Sequence, residues 1–209
     1  DGVNDVLAIK DADCGIAMAA GSDAAKQSAH IVLMDSDFAS MKDIVKEGRT
    51  IIANIERVSA LYLTKTIYSV LLCIIFIVLR RAYPFIPIQL SLISATAIGI
   101  PSFFLTLEKH EMVTTNGFLR HVLRISLPCA LAIVGGLVFV QILRPILSLS
   151  AIMVSSFNLL IGGGISLAVV IFVCHPMNRK RFLLCLIVTI LFCAGFLIFP
   201  DFFGVKDII

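Results

Sequence analysis

Apolar positions recur along this chain in more than one rhythm, and each rhythm predicts a different kind of element. Over residues 1–39, short apolar runs alternate with turn residues. Asn4 can cap a helix running through Lys10, Cys14 to Met18 reads as a small strand, Ser22 in the turn from Ala19 to Asp23 is placed to cap the next helix, and His30 to Met34 reads as a second strand. This alternation fits the edge of a parallel α/β domain. After the polar stretch from Asp35 to Ser40 the rhythm changes. Met41, Ile44, Val45, Gly48, Ile51, Ile52, Ile55 and Val58 recur at three- and four-residue steps, the mark of an amphipathic helix. Nothing breaks this helix before the next apolar run, so one rod is expected from about Ser40 to Leu79, with residues 40–58 as a polar-faced stalk.

From residue 59 onward the rhythm gives way to continuous apolar stretches. A membrane-crossing helix needs about 20 mostly apolar residues, and five stretches qualify: 59–79, 88–107, 122–140, 149–173 and 182–199. The predicted fold class is therefore the end of an α/β domain followed by an α-helical polytopic membrane domain over residues 59–209. Composition agrees, because 59% of the 209 residues are apolar against about 45–50% in a soluble domain.

Charge adds orientation. Residues 1–57 hold ten acidic and six basic side chains, a net of −4, whereas residues 58–209 hold four and eleven, a net of +7. Arg80, Arg81, Arg144 and Lys206 mark one side of the spans. Lys109, Arg120, Arg124, Arg179, Lys180 and Arg181 mark the other, together with the stalk. The positive-inside rule makes the second side cytoplasmic. A multi-pass protein of the plasma membrane is expected, with residues 1–58 in the cytoplasm and the lipid bilayer as its main partner. The basic residues sit between hydrophobic runs, which excludes a nucleic-acid partner. Cys14, Cys73, Cys129, Cys174, Cys185 and Cys193 form no Cys-x-x-Cys pair, so neither a disulfide framework nor a zinc site is expected.

Asp1-Gly2-Val3-Asn4-Asp5 places two carboxylates and an amide on a tight turn leading into a helix. Hard oxygens of this kind suit Mg2+, and a helix start offers N–H groups to anionic oxygen. The chain continues through Val6-Leu7-Ala8-Ile9-Lys10-Asp11-Ala12-Asp13-Cys14-Gly15-Ile16-Ala17-Met18, then Gly21-Ser22-Asp23-Ala24-Ala25-Lys26, Ile31-Val32-Leu33 and Phe38. This succession resembles the hinge motif of P-type ATPases together with the segment that leads from it to the stalk. Ile98-Gly99-Ile100-Pro101 and the stalk look most like bacterial cation-transporting members, similar to the mycobacterial E-type.

The resemblance implies that residues 1–39 are the C-terminal part of a haloacid-dehalogenase-like phosphorylation domain. It also implies an ATP-driven cation pump working through an aspartyl phosphate, with Mg2+ as cofactor and ATP as substrate. Asp1 would bind Mg2+, Asn4 would contact the phosphoryl group, and Asp5 would order the loop as a secondary Mg2+ group. The phosphorylation sequence, nucleotide-binding domain, actuator loop and first four membrane helices of that family are not in this sequence. The expected partner is accordingly the missing N-terminal part of the same polypeptide, and the fragment alone is expected to be inactive.

Within the spans, Pro101 lacks an N–H and should free the carbonyl of Ala97. Ser91, Ser94, Pro101 and Ser102 are expected on one helix face. With Thr64 and Tyr68 at an i, i+4 step on the preceding span, Ser94, Ala97, Pro101 and Ser102 make a candidate path for the transported cation. Lys65 is expected to snorkel to the interface, with a place beside the path as the alternative. No Asp or Glu lies between Glu56 and Glu108. That absence permits a lipid-translocating P-type ATPase, and a separate alternative is a nonpumping membrane receptor or scaffold whose degenerate lobe only binds Mg2+ or a partner. Gly135-Gly136 and Gly162-Gly163-Gly164 are expected to permit close helix approach.

Overall fold

The computed structural model describes residues 2–108 and 117–204. Asp1, Lys109 and Lys206, which carry expectations from the sequence, lie outside the described residues. The chain divides into two compact units, residues 1–50 and 51–209.

In the first unit a 3-10 turn, Val3–Asp5, leads into α1 (Val6–Asp11), followed by β1 (Ile16–Met18), α2 (Asp23–Ser28) and β2 (Ile31–Leu33). The strands are parallel, with Ile16 opposite Ile31, Ala17 opposite Val32 and Met18 opposite Leu33. Ser22 caps α2 as expected, its Oγ accepting from the Ala25 N–H at 3.2 Å. Asn4 does not cap. Gly2 in an extended conformation starts the 3-10 turn one step early, so Asp5 takes the N-cap position of α1 and Asn4 lies exposed within the turn. The small core of Ile9, Ala17 and Ala25 requires a glycine at residue 15, where a Cβ would lie 2.2 Å from the Ile9 carbonyl oxygen. The Gly15 N–H donates to His30 Nδ1 at 3.0 Å, which ties the approach to β1 to the approach to β2.

α3 runs without interruption over Ser40–Val78. Its 39 residues measure about 58 Å at 1.5 Å per residue, well beyond a hydrocarbon core of about 30 Å, so a long stretch of it must lie outside the bilayer. Its start is fixed locally: Ser40 Oγ donates to Asp35, and the Ala39 N–H donates to Asp37 Oδ1 at 2.9 Å.

In the second unit the next span is built from three pieces, α4 (Pro87–Ser94), a π-helical turn (Ala95–Gly99) and α5 (Ile100–Thr106). Then come α6 (Phe118–Ile146), α7 (Ala151–Val173), α8 (Arg179–Ile198) and the short α9 (Pro200–Phe203). With α3 and the three-piece span, α6, α7 and α8 give five described helices long and apolar enough to cross a membrane. α7 is the central one: it packs on α6, the π-turn and α8, and more than half of its most apolar stretch is buried. Leu72, Ile133, Leu137, Leu159 and Val170 fill the core.

Polar side chains pin the two ends of this bundle. At one end Gln89 Nε2 donates to Ser155 Oγ (2.8 Å) and to the Phe203 carbonyl (2.9 Å), and Asn158 Nδ2 donates to the Pro84 carbonyl (3.0 Å). At the other, Asn54 Nδ2 reaches the Glu108 carbonyl at 2.9 Å, and Arg181 Nε reaches Glu108 Oε2 at 2.7 Å. These bonds set the up-and-down alternation of the spans, since the start of α4 meets the start of α7 while the end of α5 meets the start of α8.

Of the five glycines expected at close approaches, three meet a neighbour. A Cβ at Gly136 would lie 2.7 Å from Ile161, at Gly162 2.6 Å from Phe85, and at Gly163 2.1 Å from Phe192 Cζ, whereas Gly135 and Gly164 face open space. Gly163→Ala is expected to push Phe192 off its rotamer and to destabilise the folded protein by about 1–3 kcal/mol. Gly164→Ala should be near neutral. Thermal unfolding in detergent compares the two directly, and equal midpoints would refute the close approach.

Candidate functional site

Two places gather oxygen ligands. The first is the turn at the start of the chain. Asn4 and Asp5 are both exposed there, and Asp5 Oδ2 accepts the Gly2 N–H at 2.9 Å. The donor set is one carboxylate and one amide oxygen beside a helix start, open to water. That chemistry fits Mg2+, a cation that keeps several waters and takes few protein ligands. Among the described residues no cluster of three or more His, Cys, Asp or Glu could hold a metal alone. Lys26 does not serve this turn, since its Nζ pairs with Asp23 Oδ1 at 2.8 Å and donates to the Ala19 carbonyl at 3.4 Å.

The second lies within the bundle. α3, the π-turn and α7 enclose a cavity of about 10 Å³, roughly the room needed for a single water. Thr64, Lys65 and Tyr68 line it from α3, Ala97 from the π-turn and Ser166 from α7. Thr64 Oγ1 donates to the Ala60 carbonyl at 2.7 Å and Ser166 Oγ to the Gly162 carbonyl at 2.6 Å. Each hydroxyl spends its proton on its own helix and keeps oxygen lone pairs for a ligand. The Tyr68 hydroxyl is buried without a hydrogen-bond partner among the described residues, a costly state for a polar group that a ligand or water oxygen in the cavity would relieve.

Of the six path residues expected from the sequence, Thr64, Tyr68 and Ala97 therefore line one cavity. Ser94 joins through Lys65, whose Nζ donates to Ser94 Oγ at 2.7 Å. Pro101 is buried but does not line the cavity, and Ser102 is only half-buried, its Oγ donating to the Gly99 carbonyl at 3.0 Å. Ser91, expected on the same stripe, is exposed and donates to the Pro87 carbonyl.

For Pro101 and Ser102, which follow it, the π-turn is the reason. The Ile100 N–H bonds to the Ala95 carbonyl five residues back, and one inserted residue rotates every later position by about 100° relative to an α-helix. Lys65 lines the cavity and its Nζ reaches across to Ser94 on the neighbouring span, which is the alternative place beside the path. Ser166 was outside the sequence expectation. Its only signal is its place one helical turn after Gly162, where α7 closely approaches Phe85 and, on α4, Ile93.

No family model matches the chain. It is similar to the calcium-transporting ATPase CtpE of Mycolicibacterium smegmatis, 46% identical over 153 residues that make up 68% of this chain and 19% of that protein. CtpE of Mycobacterium tuberculosis is 48% identical over 143 residues, 64% of this chain and 18% of that protein. A probable cation-transporting ATPase, exp7, of Streptococcus pneumoniae is 38% identical over 192 residues, 88% of this chain and 25% of that protein. The chain thus spans about a fifth to a quarter of the length of these curated relatives. Their identity over most of its residues, together with five helices able to cross a bilayer, makes this a multi-pass membrane protein belonging to the P-type ATPases.

Proposed function

We propose that the chain is part of an ATP-driven cation pump of the plasma membrane that works through an aspartyl phosphate. In this reading residues 1–39 close a haloacid-dehalogenase-like phosphorylation domain, residues 40–58 form a cytosolic stalk, and residues 59–209 supply five membrane helices. The rest of the polypeptide provides the phosphorylated aspartate and the nucleotide site. Asp1 and Asp5 hold Mg2+ and Asn4 meets the phosphoryl group; the bound Mg2+ offsets negative charge on the transferring phosphate. A phosphoenzyme splits one phosphoryl transfer into two steps, each able to drive a change of shape.

The observation that carries the transport part is the cavity lined by Thr64, Tyr68, Ala97 and Ser166. It is a cluster of neutral oxygens at an irregular stretch of helix inside the bundle, the kind of place where backbone irregularity is tolerated because it lines a cavity. Neutral oxygens can replace an ion's hydration shell. With no carboxylate in the described spans, the remainder of the polypeptide completes the site for a divalent ion. The relatives named for calcium make Ca2+ the first ion to test.

Full-length Tyr68→Phe and Ser94→Ala should raise the Ca2+ concentration for half-maximal phosphorylation by ATP roughly tenfold, one hydrogen-bonding group being worth about 1.4 kcal/mol. Phosphorylation by inorganic phosphate should persist. Unchanged half-maximal concentrations in both variants would remove the cavity from the transport path. Lys65 favours a second reading, since its ammonium suits an anionic lipid headgroup better than a divalent cation. That reading requires phospholipid, and not Ca2+, to alter phosphoenzyme turnover.

A further inference from the structure

The short connection between α7 and α8 brings two cysteines together. α7 ends at Val173, and the Cys174 N–H still donates back to the Val170 carbonyl at 2.9 Å. Asn178 then caps α8, its Oδ1 accepting from the Arg181 N–H at 2.8 Å. The Arg181 guanidinium reaches back across the connection, donating to the Cys174 carbonyl at 3.4 Å and to the Pro176 carbonyl at 2.8 Å. Cys185 follows Arg181 by one helical turn and so shares its face of α8. The face of α8 pinned to Cys174 therefore carries Cys185, and the two thiols meet in a side-chain hydrogen bond.

Of the six cysteines these two alone are buried, Cys174 at 0% exposed and Cys185 at 6%. Both belong to the apolar core of the bundle, where a thiol keeps its proton and is a poor target for oxidants. A ligand of the pair must then bind sulfur strongly enough to displace protons. Mg2+ and Ca2+ prefer oxygen, and structural Zn2+ takes four ligands. Cu+ is soft, selects thiolate sulfur, and as a monovalent ion of filled d shell is satisfied by two sulfurs placed opposite each other. A cavity of about 620 Å³ is lined by Val173 and His175, the residues on either side of Cys174, and brings open space up to the backbone that carries it.

We propose that Cys174 and Cys185 form a two-sulfur site for a soft monovalent ion of the Cu+ type, bridging the end of α7 to α8. Binding breaks both S–H bonds, forms a metal–sulfur bond at each cysteine and releases both protons to solvent. No electron is transferred, and the product is a bis-thiolate with a single net negative charge. The site stands whether or not the protein pumps a cation, and it is separate from the cavity lined by Thr64, Tyr68 and Ser166.

The test uses the full-length protein in detergent, reduced and kept free of oxygen, with Cu+, Zn2+ and Ca2+ offered in separate arms against a competing chelator. Bound metal is counted per protein, and X-ray absorption reports the atoms around bound copper. Cys174→Ala and Cys185→Ala keep the main-chain bonds of the connection, and each is expected to bind one Cu+ fewer than wild type. For that ion the affinity should fall by about a hundredfold or more, since even partners behind the ligands are commonly worth 10–100-fold. Cys193→Ala, on an exposed face of α8, should bind as wild type does. Copper lost in the two buried variants should leave a difference spectrum with sulfur neighbours only, a readout on the wild type that does not depend on how well either variant folds. Unchanged Cu+ binding in both variants, nitrogen or oxygen neighbours in that difference spectrum, or Zn2+ held by the same two cysteines as tightly as Cu+ would each overturn the proposal.

Discussion

Replacing Asp5 by Asn in the full-length protein is expected to lower ATP turnover at least a hundredfold, the scale at which removing one charge-stabilising group from a phosphoryl-transfer site is felt. Geometry and charge can be separated at this position. Asp5 Oδ2 accepts the Gly2 N–H at 2.9 Å, and an amide oxygen can accept the same bond, so Asp5→Asn keeps the turn and loses the negative charge. Asp5→Ala loses both. If charge near the transferred phosphate is what matters, the two variants should be about equally slow; if the turn alone matters, Asn should be close to wild type and only Ala slow. Asp1→Asn should match Asp5→Asn, and Asn4→Ala, which removes a neutral contact, should cost only about tenfold. Steady-state hydrolysis together with phosphoenzyme formation from labelled ATP reads all four. Normal turnover in Asp1→Asn and Asp5→Asn would withdraw the assignment of the turn.

The long-range periodicities were readable because they depend on solvent and little else. α3 begins at Ser40, one residue before the amphipathic rhythm starts at Met41, and ends one residue short of Leu79, since 39 residues of helix contain no proline and one glycine that meets no neighbour. Helix ends were less readable. α6 runs over Phe118–Ile146 rather than 122–140, because hydrophobicity finds the lipid-immersed stretch and not the turns that continue into the interface with Arg120, Gln141 and Arg144. The π-turn left a signal in Pro101 but not its consequence. A missing N–H predicts a freed carbonyl, whereas whether the helix kinks or takes in an extra residue depends on α7 packing beside it, which no local pattern encodes.

The membrane cavity was half legible for the same reason. Thr64 and Tyr68 share a face by simple helical spacing, and both line the cavity. Lys65 is one residue from Thr64, and spacing alone cannot say whether its long chain runs out to the interface or across to Ser94. Arg181 is the sharper case. In the sequence it is one of three consecutive basic residues marking a side of the membrane. In the fold its neighbours Arg179 and Lys180 stay exposed while Arg181 is 1% exposed, because its partner Glu108 lies 73 residues earlier.

Removing that partner is expected to have the largest effect on folding among these substitutions. Arg181 Nε donates to Glu108 Oε2 at 2.7 Å, its NH1 donates to the Pro176 carbonyl at 2.8 Å, and Asn178 bonds both Glu108 and the Arg181 N–H. A buried guanidinium stripped of its carboxylate is costly, so Glu108→Ala should destabilise the protein by about 3–5 kcal/mol. Glu108→Met with Arg181→Met removes both charges and should recover most of that loss, which a purely steric role for either residue would not allow. pH offers an independent check. Burial raises the Glu108 pKa, but the bonds from Arg181 and Asn178 and the charges of Arg181 and Arg57 outweigh it, leaving the pKa below its ordinary 4.5. A carboxylate whose folded pKa is depressed contributes its full stability above the unfolded value and loses it as pH falls through the folded one. Wild-type unfolding midpoints in detergent should therefore be flat above about pH 5 and fall below pH 4.5, while the double Met variant should lack this component. A wild type and a double variant with the same acid limb would show that the Glu108–Arg181 pair contributes nothing to holding α5 against α8.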